Sequence, residues 1–142
     1  YKIDTFNENN IQIIKNLTQN EKIKIIAQEF LEDIYKGDFR ILIIHGKPFH
    51  KTLARIPQGD SFKGNLAAGG KGVVKDISDF QFEMASEIGD FLVQKDINFA
   101  GIDVIGNFLT EINVTSPTCA RQILDQSGEN PIQEYFEKLW PQ

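Results

Sequence analysis

The sequence predicts an α+β protein built on antiparallel sheet. Two observations predict it. Apolar, β-branched runs come in pairs joined by tight turns, and segments with apolar residues at helical spacing lie before, between and after those pairs. The order that results is helix, strand, hairpin, glycine-rich loop, helix, hairpin, helices. Hairpins make antiparallel sheet, so a doubly wound parallel sheet is excluded.

Each element has its own warrant. Ile11, Ile14 and Leu17 recur at helical spacing and predict a short helix over 7–20. "EKIKIIAQEFL", residues 21–31, opens with alternation and is rich in Ile, which predicts a strand leading into a connector. "DIYKGDF" (33–39) carries turn residues and reads as a hinge. "RILIIHG" (40–46) and "FHKTLARI" (49–56) read as strands, with Gly46-Lys47-Pro48 as the tight turn between them. Residues 56–72, "IPQGDSFKGNLAAGGKG", hold five of the eleven glycines and little that could anchor a core, so a long mobile loop is expected. Ser78 and Gln81 offer a capping box, followed by Met84, Ala85, Ile88, Phe91 and Leu92 on one helical face to about Lys95. Two strands around Gly106-Asn107 come next. A helix is expected to start near Pro117 with Ser116 as its cap, and a final helix spans Pro131 to Trp140.

Composition narrows the function. The chain has 142 residues, 41% hydrophobic and 25% charged, which suits one soluble globular domain with a real core. Its net charge of −5 argues against a nucleic-acid partner. No apolar run approaches a membrane span, and Tyr1-Lys2-Ile3-Asp4 does not open a signal peptide. The absence of an initial Met suggests processing or a piece of a longer protein. The single cysteine, Cys119, excludes an internal disulfide and suits a reducing cytoplasm.

The chemistry is concentrated in "GIDVIGNFLTEINVTSPT", residues 101–118, where Asp103, Glu111 and Asn113 interrupt a β-branched run. Glu111 and Asn113 are two apart and share a face. A two-residue turn at Gly106-Asn107 puts Asp103 opposite Thr110, on the other face. A three-residue turn, or a bulge, puts Asp103 across from Glu111. Facing carboxylates destabilise a sheet unless a cation joins them. Carboxylate and amide oxygens are a hard donor set suited to Mg²⁺. A solvent face on which acids merely alternate with apolar residues would give the same pattern.

The glycine-rich loop is not a P-loop. Gly64 and Gly69 have the outer spacing, but position 70 is Gly rather than Lys, and Lys71 is followed by Gly72 rather than Ser or Thr. A lid is the better functional reading, with Lys63 and Lys71 bringing positive charge and Gly69-Gly70 permitting closure. His45 and His50 flank a turn without metal-ligand spacing and read as surface residues. Cys119 reads as a small buried apolar residue.

Together, "LARIPQGDSFKGNLAAGGKG" and "GIDVIGNFLTEINVTSPT" resemble the bacterial glutathione synthetase family, in the C-terminal part of its ATP-grasp domain. "D…E-I-N" is common to ATP-grasp ligases. "VTSPT" with "NLAAGG" points to the glutathione enzymes over D-alanine–D-alanine ligase or the ribosomal-protein glutamate ligases. The resemblance runs from about Gln28 to the C-terminal helices. It implies the C-terminal half of an ATP-grasp fold, an antiparallel sheet with flanking helices. Residues 1–34 would be a remnant of the small lid subdomain, and 35–142 the C-terminal subdomain with its loop at 56–72.

The implied activity is ATP-dependent ligation of γ-glutamylcysteine to glycine through an acyl phosphate. Half an active site, and little activity from this length of chain alone, are implied with it. Asp103, Glu111 and Asn113 would hold Mg²⁺, with Mn²⁺ an alternative. Arg40 and Arg55 would meet phosphoryl and acyl-phosphate oxygens, although a structural ion pair also explains an arginine in an apolar strand. Gln28, Glu29, Phe30 and Leu31 would run past adenine, with Asp38 near the ribose and Arg40 and Asn113 completing the ATP site. Ser116 and Thr118 would lie near the acceptor peptide. Lys63 and Lys71 stand where relatives carry arginine. A homo-oligomer is implied as well. Two other functions share these residues: a non-catalytic nucleotide-binding or interaction domain, and a ligase acting on another peptide.

Overall fold

The structure is a computed structural model that describes residues 1–59, 61–64, 66 and 69–140. The chain divides into two compact units, Tyr1–Leu31 and Glu32–Gln142.

The first unit contains one helix, α1 (Glu8–Leu17), capped by the Asn7 side chain, which accepts from the backbone of Asn10. The strand expected over 21–31 does not form. A strand needs a neighbour for its N–H and C=O groups, and none of the described strands pairs with this segment. Ile23, Ile25 and Ile26 are exposed accordingly. Gln19, Asn20 and Glu21 all have positive φ, so the chain breaks immediately before the alternating stretch.

The second unit opens with a 3-10 turn, Glu32–Lys36, where a hinge was expected. It continues through β1 (Asp38–Ile44), β2 (Lys47–Ile56), β3 (Lys71–Asp76), α2 (Asp79–Val93), β4 (Phe99–Ile105), β5 (Phe108–Asn113), α3 (Ala120–Ser127) and α4 (Pro131–Leu139). The strands form one sheet in the order β3-β2-β1-β4-β5, and every pair is antiparallel. The α+β class and the antiparallel sheet are therefore as the sequence predicts.

β1 lies at the centre and is covered on both faces, which is why it reads as a continuous apolar run. Ile41 and Ile43 join Ala100, Ile102 and Val104 under Ala85 and Leu92 of α2. On the opposite face, Leu42 and Ile44 join Phe49 and Leu53 under Cys119 and Ile123, with Tyr135 of α4 at the margin. The capping box forms as expected: Ser78 Oγ accepts from Gln81 N, and Gln81 Oε1 accepts from Ser78 N. Pro131 opens α4 at its first turn behind the cap Asn130.

Three boundaries differ from expectation. The β1–β2 turn is His45-Gly46, with φ of +48° and +77°, the signs of a type I′ turn. Ile44 therefore pairs with Lys47, and Pro48 lies inside β2. β3 was hidden in the glycine-rich tract: Lys71 and Gly72 are strand residues paired with Ile56 and Arg55, so the loop ends at Gly70. Asp60, Asn65, Ala67 and Ala68 of that loop lie outside the described residues. α3 begins at Ala120, not near Pro117, because Ser116 and Cys119 are both left-handed, at φ +55° and +89°, and turn the chain first. β3 is an edge strand, yet its outer side is occupied: Gln126 of α3 accepts from Val74 N (2.9 Å) and donates to Gly72 O (3.1 Å).

α2 meets the β1–β2 turn through two glycines. A Cβ on Gly89 would overlap the Gly46 carbonyl oxygen, and one on Gly46 would come within 2.6 Å of Val93. Gly89→Ala gains roughly 1 kcal/mol in helix propensity, but overlap with rigid backbone outweighs that gain. We expect a net loss of about 2 kcal/mol, read as a lower urea midpoint at unchanged slope.

Candidate functional site

The face of the sheet that carries α3 and α4 changes character along its strands. At one end it is the apolar patch of Leu42, Ile44 and Leu53. At the other, side chains of the same parity are Asp38 and Arg40 on β1, Arg55 on β2, Asp103 on β4 and Glu111 on β5. Cross-strand register brings them together. Asp38 is opposite Arg55, Arg40 opposite Asp103, and Asp103 opposite Glu111.

Both turn arguments drawn from the sequence meet here. The β4–β5 turn is the two-residue Gly106-Asn107, with Ile105 paired to Phe108. Gly106 alone has positive φ, +57°, as the first position of a type II′ turn requires. By itself this turn would place Asp103 opposite Thr110. A bulge intervenes: Val104 pairs with Leu109 and Asp103 with Glu111, so Thr110 is the extra residue. The Thr110 hydroxyl donates to the Asp103 carbonyl at 3.1 Å, giving the interrupted ladder a substitute bond.

Four of the charges are buried: Asp38, Arg40, Arg55 and Asp103 are each no more than 9% exposed. Arg40 grips Asp103 bidentately, Nε to Oδ1 and Nη2 to Oδ2. Arg55 Nη2 reaches both Asp38 Oδ2 (2.5 Å) and Asp103 Oδ2 (2.7 Å). Two cations and two anions thus compensate one another away from water. The hydrogen bonds that Arg40 donates to Asp103 hold its guanidinium above its ordinary pKa. Burial opposes the charge on Arg55, but Asp103 and Asp38 outweigh it and raise its pKa too. Burial pushes the Asp38 carboxyl up, only partly offset by Arg55.

The array is incomplete among the described residues. Asp38 Oδ1, Arg40 Nη1 and Arg55 Nε are buried without a hydrogen-bond partner among the described residues. Two spare guanidinium donors on one face suit an oxyanion.

The oxygen donors also fit a small hard cation. Asp103 Oδ2 already accepts two N–H groups, but Oδ1 accepts one. Glu111 is exposed, and among the described residues its ion-pair partner is Arg40 Nη2 at 3.8 Å. Asn113, half-buried beyond it, uses its Oδ1 to accept from Thr115 N at 3.0 Å and keeps a second lone pair. Among the described residues no three His, Cys, Asp or Glu gather as a metal group. The set here is two carboxylates and an amide.

The remaining sequence candidates are placed as follows. Gln28, Glu29, Phe30 and Leu31 end the first unit; Gln28 and Glu29 are exposed, and the Lys2 ammonium lies 4.0 Å over the Phe30 ring. Ser116 and Thr118 are exposed in the segment joining β5 to α3. Lys63 and Gly69 are exposed and Gly70 half-buried, while Lys71 opens β3. His45 is not a surface residue: it is half-buried and stacked on Tyr135 at 4.9 Å. Its Nε2 lies 3.1 Å from the Tyr135 carbonyl and must donate, since a carbonyl only accepts. His50 is exposed and pairs with Glu129. Cys119 is buried in the apolar patch, as expected.

Sequence reasoning missed Thr110, which sets the parity, and Gly64 and Gly101, which pack against the array. A Cβ on Gly64 would come within 2.7 Å of the Arg55 carbonyl and 3.3 Å of Asp38 Cβ. A glycine inside a strand is itself a signal of close approach, and Gly101 carried it. Among the described residues no helix is long and apolar enough to cross a membrane.

Comparison with known proteins gives the family. The family described as prokaryotic glutathione synthetase, ATP-grasp domain, matches residues 1–128, beginning well before the resemblance at Gln28. Glutathione synthetase of Nitrosomonas europaea is 48% identical over 130 residues, covering 92% of this chain and 41% of the relative. That of Xylella fastidiosa strain 9a5c is 45% identical over 127 residues, covering 89% and 40%. That of Pseudomonas aeruginosa is 48% identical over 120 residues, covering 84% and 38%. The chain therefore spans about two-fifths of the length of these relatives. With the match taking in both the glycine-rich loop and the strands that carry Asp103 and Glu111, the chain belongs to the prokaryotic glutathione synthetase ATP-grasp domain family.

Proposed function

We propose that this chain supplies part of the active site of an ATP-dependent ligase that joins γ-glutamylcysteine to glycine. The observation that carries the reading is the pair of buried, unpartnered guanidinium donors beside the facing Asp103 and Glu111. In the first step a carboxylate oxygen of the dipeptide attacks the γ-phosphorus of ATP, and the bond to ADP breaks. In the second, the glycine amine attacks the acyl carbon, phosphate leaves and the amine gives up a proton. Both steps build charge on oxygen, so positioned cations do most of the work.

Arg40 Nη1 and Arg55 Nε would meet that charge, with Asp103 and Asp38 holding the two arginines still. Mg²⁺ held by Asp103, Glu111 and Asn113 would neutralise polyphosphate charge when bound. The unpartnered Asp38 Oδ1 suits a ribose hydroxyl. The backbone of 28–31 would meet the adenine edge, and Ser116 and Thr118 the peptide. Lys63 and the loop glycines would close over the intermediate to exclude water.

The test is phosphate release by the full-length protein, with γ-glutamylcysteine and glycine added separately and together. Release is expected to require both. Release that ignores either one, or ATP binding without any turnover, overturns the ligase reading.

A further inference from the structure

We propose that Gly101 is a positioning residue for Arg40, its missing side chain leaving the space in which the arginine arm lies with Nη1 free. The inference rests on the ligase reading for what Arg40 does, but not for how Arg40 is held. Gly101 sits inside β4, buried, paired with Leu42 and Asn113. Its φ is not in the left-handed region, so no turn demands glycine there. Glycine in a strand interior loses backbone entropy and packing, so its presence needs another cause.

The cause is on its open side. A Cβ at this position would lie 2.9 Å from Pro117 Cβ, 3.0 Å from Arg40 Cδ and 3.5 Å from Arg40 Nη1. Nη1 is one of the two buried guanidinium donors that find no partner among the described residues. Neither neighbour yields freely. Pro117 is a rigid ring between the left-handed Ser116 and Cys119. The Arg40 head is tied to Asp103 by two bonds, and its carbonyl accepts from the Thr52 hydroxyl at 2.8 Å. A methyl group at 101 therefore lifts the arginine arm between two fixed ends and turns Nη1 off its line, leaving the backbone register unchanged.

The experiment is a double-mutant cycle in the full-length protein: Gly101→Ala, Arg40→Ala and both together. It reads kcat and KM for phosphate release, affinity for inorganic tripolyphosphate by calorimetry, and the urea midpoint. Gly101→Ala is expected to lower kcat by about 10- to 100-fold while KM for glycine moves less than about twofold. In the Arg40→Ala background the same change is expected to alter kcat by less than about twofold, because the partner it displaces is gone. Losses that multiply across the two backgrounds, or a kcat that Gly101→Ala leaves intact, overturn the proposal.

If Gly101→Ala fails to fold alone but folds beside Arg40→Ala, the clash with the arginine is upheld; failure in both backgrounds overturns it. If the unaltered protein shows no substrate-dependent release, the ligase reading falls and the tripolyphosphate arm decides. Affinity lost to Gly101→Ala only when Arg40 is present supports the positioning role, and equal or no loss in both backgrounds refutes it.

Discussion

Asp103→Ala is expected to cost the folded chain about 3 kcal/mol, at the lower end of what breaking a buried ion pair costs. Asp103 is the hub of the array. It takes both bonds from Arg40 and shares Arg55 with Asp38. Without it Arg55 keeps Asp38, but Arg40 keeps only the exposed Glu111, 3.8 Å away. A guanidinium buried to 4% exposure cannot shed its charge, so the penalty falls on folding. The lower end applies because Glu111 opens the site to solvent on the β5 side. Urea unfolding measures the loss. Arg40→Met in the same background should recover most of it, since removing both partners of a buried pair is far milder than removing one. A loss below about 1 kcal/mol for Asp103→Ala would mean that the four charges do not compensate one another as the distances indicate.

Glu111→Gln is expected to do the reverse, sparing the fold and stopping the chemistry. Its carboxylate is exposed, faces Asp103 across the bulged pair and is only loosely approached by Arg40. Removing its charge relieves one repulsion and weakens one attraction, so the unfolding midpoint without ligand should stay level or rise slightly. Turnover on the proposed reaction should fall by about 100-fold or more, because Glu111 would hold the Mg²⁺ that meets the phosphoryl charge, and losing such a cation's grip costs what losing an oxyanion-stabilising group does. Steady-state phosphate release and thermal unfolding of the same sample settle it. A large loss of stability with turnover preserved would make Glu111 a structural acid.

Much of this arrangement is legible in the residues, for local reasons. The capping box at Ser78, Pro131 behind Asn130 and the Gly106-Asn107 turn each depend on neighbours in sequence, and all form. What failed needed information from elsewhere in the chain. Residues 21–31 alternate like a strand but have no strand beside them. β3 looked like loop because it is short and glycine-led, and it holds its place by pairing with β2 and by Gln126 from α3. His45 looked like a surface residue because nothing nearby announces Tyr135, ninety residues on. The site was half legible in the same sense. Residue types and the shared face of Glu111 and Asn113 follow from period-two geometry. That Asp103 joins them depends on one inserted residue, Thr110, which turn chemistry alone does not foresee. The two arginines stood out as charges in apolar strands, but their common anchor on Asp103 appears only when three strands are laid side by side.

The amide of Gln126 has a consequence for how this chain behaves among its own copies. An outermost strand is a ready template on which a foreign segment can crystallise rung by rung. On β3 two neighbouring rungs are already filled by one side chain whose oxygen and nitrogen mimic a peptide group. At those two rungs the sheet is closed to lateral growth on the side where the glycine-rich segment returns, by a plug borne on a helix.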